Sequence, residues 1–215
     1  MLRCSALYLD FDGVVADSMS GKSEAFAEAL APLGIGAEDA ARFYRSQAGI
    51  GRARIFALAA QKLLGRTIES DEETATAERF ARLEREARPG IRLFEGVAEF
   101  LAREQARRRL ALVTGTPAGV IGEALEALGI GGLFHAAYST APGWSKDRLI
   151  ASDLASCGVA ADAALFAGDS HADMAAAALV PIRFVGIGEA DFFEAGRACL
   201  VLARLVDLEA HLGAP

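Results

Sequence analysis

The chain is poor in the features that would tie it to a membrane, a disulfide scaffold or a polyanion. Its three cysteines, Cys4, Cys157 and Cys199, are widely spaced and form no C-x-x-C pair. Free, mostly buried thiols in a reducing compartment are the expectation. No apolar run approaches the ~18 residues that a membrane helix needs. The N-terminal run is shorter still and holds two aspartates, so MLRCSALYLDFDG reads as a strand entering a polar loop rather than a signal peptide. Positive charge is also short: 22 lysines and arginines face 29 aspartates and glutamates, a net charge of −7. That argues against general attraction to nucleic acid or an anionic membrane, and leaves room for a local basic pocket. A cytoplasmic protein with neither of those partners is expected.

Apolar residues make up 53% of the 215, enough for a full core, and many are alanines that favour helix. Short continuous apolar runs at 6–9, 110–113, 164–167 and 182–185 read as strands buried on both faces, as in a parallel sheet. Segments 134–138 and 200–202 are candidates for two more. Helical patterns near 95–107, 118–128, 146–157, 172–178 and 204–212 alternate with them, which predicts a doubly wound α/β domain. The stretch from 17 to 88 breaks this alternation. It shows no convincing strand but four amphipathic segments, at 20–33, 38–47, 52–64 and 70–86. An all-helical insert over 17–88, with a core of 1–16 and 89–215, is the economical organisation. Pro89-Gly90 marks the return.

Four strand or helix ends carry candidate chemistry. Asp10-Phe11-Asp12-Gly13 follows the first strand, where ligands sit in open α/β sheets. Two carboxylates there repel unless a cation or a shared proton compensates, and a solvated acidic pair is the bland alternative. Thr114-Gly115-Thr116-Pro117 follows the second strand of the core. Thr116 suits an N-cap and Pro117 a first helical residue, while Thr114 and Gly115 would cradle an oxygen near the helix start. Lys146 follows a capping Ser145; a lysine in a first turn opposes the helix dipole, so it is either exposed to water or offset by an anion. Gly168-Asp169-Ser170-His171-Ala172-Asp173 ends another strand. Asp173 suits the helix start that follows, and His171 reads as a loop histidine. In one parallel sheet these ends converge, and carboxylate oxygens there make the hard environment that Mg²⁺ prefers.

Taken together, Asp10-Phe11-Asp12-Gly13-Val14-Val15-Ala16-Asp17-Ser18, Thr114-Gly115-Thr116-Pro117, Lys146 and the Gly168–Asp173 segment resemble the four motifs of the haloacid dehalogenase (HAD) superfamily of phosphohydrolases, in order and over essentially the whole chain. The insert looks like the helical C1 cap of phosphoglycolate phosphatases and β-phosphoglucomutases. The resemblance implies a Rossmann-like core, a Mg²⁺ cofactor and a small phosphorylated metabolite as substrate. It makes Asp10 the nucleophile and Asp12 the general acid, then base. Thr114 and Lys146 would bind the transferring phosphoryl group, with Gly115 and Thr116 lining its cradle. The metal set would be Asp10, Asp12, Asp169 and Asp173, partly through backbone oxygens, with Asp173 either coordinating or orienting metal-bound water.

Asp12 favours phosphate chemistry over carbon–halogen cleavage, since the dehalogenase branch lacks an acid there. A phosphonate-cleaving branch uses a cap lysine, and Lys22 and Lys62 sit in no such motif. The segment Gly49-Ile50-Gly51-Arg52-Ala53-Arg54 resembles the cap loop that meets the active site. Arg52 there, alone or with Arg54 or Arg45, either reads a substrate carboxylate, hydroxyl or second phosphate or is an exposed first-turn residue. Motif residues do not separate a phosphatase from a phosphomutase of the same family. A phospho-accepting signalling domain has no use for such an insert, and a silent scaffold would not keep the motif acids. Monomer and homodimer both remain open.

Overall fold

The short apolar runs become neighbouring strands because each is buried on both sides and needs a sheet to satisfy its backbone. The structure, a computed structural model, describes residues 1–47, 52–87, 90–189, 193 and 200–213, with the backbone alone at 52 and 53. The chain divides into one unit of Met1–Asp17 with Arg92–Pro215 and another of Ser18–Ile91.

In the first unit, strands β1 (Ala6–Leu9), β4 (Arg109–Thr114), β5 (Ala136–Ser139), β6 (Ala164–Gly168), β7 (Arg183–Ile187) and β8 (Leu200–Leu202) form a six-stranded parallel sheet. Their order is β5-β4-β1-β6-β7-β8, so the first strand lies at the centre. Helices α5 (Val97–Gln105), α6 (Ala118–Ala127), α7 (Lys146–Cys157) and α8 (His171–Leu179) connect the strands. Ala6, Tyr8, Ala111, Val113 and Phe166 pack on one face with Ile150 and Leu154 of α7 and Met174 and Ala177 of α8. Leu110 and Leu112 alternate with these residues and serve the other face, where α5 buries Val97, Phe100 and Leu101. This is the doubly wound arrangement that the pattern predicts.

A second sheet is not legible in the sequence: β2 (Ala16–Asp17) pairs antiparallel with β3 (Arg92–Leu93). Two residues per strand are too few for any periodicity to show. Gly90 and Ile91 precede β3, while the Pro89 turn lies outside the described residues. The last helical segment is a tighter 3-10 helix over Leu205–His211.

The second unit holds α1 (Met19–Leu30), α2 (Ala37–Ser46), α3 (Arg52–Ala59) and α4 (Ser70–Ala87). Its own core is aromatic. Phe26 of α1 stacks on Phe56 at 5.5 Å and meets Phe80 edge-on at 6.0 Å, with Phe43 and Tyr44 alongside. After α3 the chain widens into a π-turn over Ala60–Leu64 and ends at the left-handed Gly65.

Cys4 and Cys157 are free, and Cys199 lies outside the described residues. No described helix is long and apolar enough to cross a membrane.

Four elements of the first unit are tied by one carboxylate. Asp153 of α7 is buried and accepts from Tyr8 Oη at 2.8 Å, Tyr138 Oη at 2.5 Å and Arg109 at 2.8 and 2.6 Å. Burial alone would raise its pKa, but the bonds from Arg109, Tyr138 and Tyr8 hold it below the usual carboxylate range. Its contribution to stability is therefore lost as pH falls. Asp153→Ala would leave the fully buried Tyr8 hydroxyl and the Arg109 guanidinium without this acceptor, a cost of about 3 kcal/mol. At about 2–4 °C per kcal/mol in a chain of this size, thermal denaturation should show Tm lowered by roughly 6–12 °C. An unchanged Tm would contradict the assignment.

Candidate active site

Register brings the motif residues together. Leu9 of β1 sits opposite Leu112 of β4 and Ala167 of β6. Asp10 therefore falls level with Val113 and Gly168, one residue short of Thr114 and Asp169 on the flanking strands. Neighbouring strands are about 4.8 Å apart, so three strand ends share one edge. The Asp10 amide extends the ladder to the Ala167 carbonyl at 3.0 Å.

Two glycines make the close approach possible. Gly13 adopts φ +78°, and a Cβ on it would lie 2.1 Å from Asp169 Oδ2. A Cβ on Gly168 would lie 2.4 Å from that of Asp173. Any side chain at either place would push a site carboxylate away.

Asp173 serves two partners. Ser170 and Asp173 form a reciprocal capping box at the start of α8, with Asp173 Oδ2 accepting from Ser170. Asp173 Oδ1 accepts from Lys146 Nζ at 2.6 Å. The helix-start reading of Asp173 and its place in the cluster are thus both realised. Ser170 is the residue that sequence reasoning passed over, although its spacing from Asp173 is the capping-box signal.

Lys146 is the first residue of α7 after the N-cap Ser145. Its side chain is only 12% exposed, which rules out the solvated lysine, and its ammonium also lies 3.0 Å from Asp10 Oδ1. That contact lacks hydrogen-bond geometry, so Asp10 Oδ1 is a buried acceptor held by charge alone. Carboxylate oxygens of Asp10, Asp169 and Asp173 lie within 4.8 Å of one another, and Asp12 falls outside this group.

Thr114 is fully buried, and its Oγ1 accepts from the Thr116 amide at 3.0 Å. The expected helix start shifts here by one residue: Pro117 is the N-cap and α6 begins at Ala118. The Thr116 hydroxyl donates to Asp12 Oδ2 at 2.8 Å. Gly115 is exposed, with nothing near its Cα that a Cβ would meet. His171 opens α8, exposed and outside the cluster. Arg52 opens α3, but its side chain and the Gly49–Gly51 loop lie outside the described residues.

A family model for haloacid dehalogenase-like hydrolases matches residues 7–187. The chain belongs to that family. A haloacid dehalogenase-like family hydrolase from Streptococcus pneumoniae is similar over 98% of this chain and 99% of its own, at 20% identity and TM-score 0.81. A predicted phosphoglycolate phosphatase from Haemophilus somnus gives the same coverage at 21% identity and TM-score 0.81. A hydrolase from Pseudomonas syringae covers 96% and 97% at 20% identity and TM-score 0.79. At these identities the likeness is one of fold. No curated protein matches the chain.

The site of this haloacid dehalogenase-like hydrolase is crowded with negative groups: Lys146 pairs with Asp10 and Asp173, Asp169 shares their cluster, and Asp12 also acts on Asp10. Burial, reinforced by Asp173 and Asp12 and opposed by Lys146, pushes the Asp10 pKa up to about 7. Burial, then Asp10 and Asp173, push Asp169 up to about 8. For Lys146, burial favours the neutral amine, but Asp10 and Asp173 outweigh it and raise the pKa. An acidic cluster with an orphaned buried carboxylate oxygen fits a hard divalent cation, in keeping with the general use of Mg²⁺ in this family.

The raised values fix a sign. Without a cation, folded protein holds protons on Asp10 and Asp169 that an unfolded chain, with ordinary values near 3.8, releases. This stabilisation is complete below about pH 4 and is lost as pH rises through 7 to 8. Calorimetry of metal-free protein should therefore show Tm falling by several degrees from about pH 5 to about pH 8, with Asp169→Asn flattening the slope. The same slope in both proteins would contradict this electrostatic picture.

Proposed function

We propose that the chain is a Mg²⁺-dependent phosphatase that hydrolyses a small phosphorylated metabolite through an aspartyl-phosphate on Asp10. The observation that carries this reading is the buried Asp10 carboxylate beside Lys146, with oxygens of Asp169 and Asp173 within 4.8 Å. Asp10 and Asp169 would hold the cation by their side chains and Asp12 through its backbone oxygen. Asp173 either joins them or orients bound water. The cation, when bound, offsets the charge of phosphate and carboxylates and leaves Asp10 ionised.

Asp10 attacks phosphorus while the bond to the leaving oxygen breaks, and Asp12 gives its proton to that oxygen. Lys146 and the Thr114 cradle hold the phosphoryl oxygens, so positioning and charge stabilisation supply most of the catalysis. Asp12, now a carboxylate, takes a proton from the water that attacks phosphorus, which releases inorganic phosphate and restores Asp10. The presence of an acid at residue 12 supports phosphate chemistry over carbon–halogen cleavage.

The helical segment, 17–88 in the sequence reading, is proposed as a cap that selects the substrate, with Arg52 reading a carboxylate, hydroxyl or second phosphate on the leaving group. The free thiols of Cys4 and Cys157 support a reducing, cytoplasmic setting.

A phosphate-release screen over a metabolite panel tests the reading. Activity should require Mg²⁺, and Asp10→Asn should lower it by at least roughly 10³-fold without unfolding the protein. Robust turnover by the variant would rule the mechanism out. Arg52→Ala should raise KM for the best metabolite more than for an aryl phosphate; equal effects on both would remove Arg52 from substrate recognition.

A further inference from the structure

The hydrogen bond from Thr116 to Asp12 joins two strand ends that the chain keeps 104 residues apart. It forms at 2.8 Å, and Thr116 is only 6% exposed, so the bond is shielded from competing water. The donor is itself fixed, because the Thr116 amide is held at 3.0 Å by Oγ1 of the fully buried Thr114. Asp12, by contrast, is half-buried on a turn that begins only two residues beyond β1.

We infer that Thr116 is a positioning residue that orients the Asp12 carboxyl group for proton transfer, rather than a helix cap or a phosphate ligand. This rests on the reading of Asp12 as general acid. A hydroxyl carries one proton, and here it goes to Oδ2, so Oδ2 is the accepting oxygen. The proton that leaves with the substrate oxygen is then carried on Oδ1. The Thr114–Thr116–Asp12 relay ties the orientation of the acid to the end of β4, which also carries the phosphate cradle.

The test uses leaving-group dependence. kcat/KM is measured, with Mg²⁺, for p-nitrophenyl phosphate, phenyl phosphate and an alkyl phosphate, in order of worsening leaving group. A poor leaving oxygen needs the proton and a good one does not, so loss of acid orientation grows along the series. Thr116→Val should lose roughly tenfold or more on the alkyl phosphate beyond its loss on p-nitrophenyl phosphate. Thr116→Ser, which keeps the hydroxyl, should restore the wild-type ratio. Asp12→Ala should show the same selectivity, and more of it. Should Thr116→Val not fold, Thr116→Ala carries the same comparison. Equal losses across the series for the Thr116 variants, beside a selective loss in Asp12→Ala, overturn this inference and leave the phosphatase reading intact. Equal losses in Asp12→Ala as well overturn the acid role of Asp12 and the inference with it.

Discussion

Everything at the candidate active site follows from forcing several carboxylates onto one sheet edge around a single ammonium. Lys146 touches Asp10 and Asp173, and Asp169 crowds into the same group of carboxylate oxygens. Burial makes that imbalance costly, since water cannot spread the charge. The raised pKa values of Asp10 and Asp169 are one expression of the cost. A bound divalent ion, followed by a phosphate that the ion and Lys146 both attract, is the chemical answer that the proposed function gives to that cost.

The rest of the first unit serves to hold this arrangement still. β1 lies between β4 and β6, so hydrogen bonds on both sides fix the height at which Asp10 leaves the sheet. The missing side chains of Gly13 and Gly168 let Asp169 and Asp173 close in. The capping box at Ser170 holds one oxygen of Asp173 and leaves the other for Lys146. Below the site, Asp153 ties β1, β4, β5 and α7 through Tyr8, Arg109 and Tyr138. Sequence, backbone register, buried polar network and reactive geometry are in this way successive links of one chain.

The four inner strands of the main sheet, β4, β1, β6 and β7, are legible in the sequence because continuous apolar runs of that length have few other uses, while β5 and β8 show only as candidates. Asp10 and Asp169 are legible for the same reason: each stands where such a run stops. What is hidden depends on strand order or on contacts across the fold. The β2–β3 pair is too short to pattern. Asp153 looks like a solvent-facing residue of an amphipathic helix, and only its place between Ile150 and Leu154 hints that it is buried. Glu104 and Arg108 read as a surface pair at helical spacing, yet both are buried, with Arg108 also donating to the Cys4 and Gly213 carbonyls. The Thr116 hydroxyl reads as a cap until β4 is known to lie beside β1, which turns it toward Asp12.

A crystal structure of the protein with Mg²⁺ and beryllium trifluoride, a mimic of a phosphoryl group on a carboxylate, tests the central claim most directly. The account predicts the fluoride adduct on Asp10, beside Lys146 and Thr114, with one Mg²⁺ bound by Asp10 and Asp169. An ion bound elsewhere, or an adduct on any other carboxylate, would contradict it.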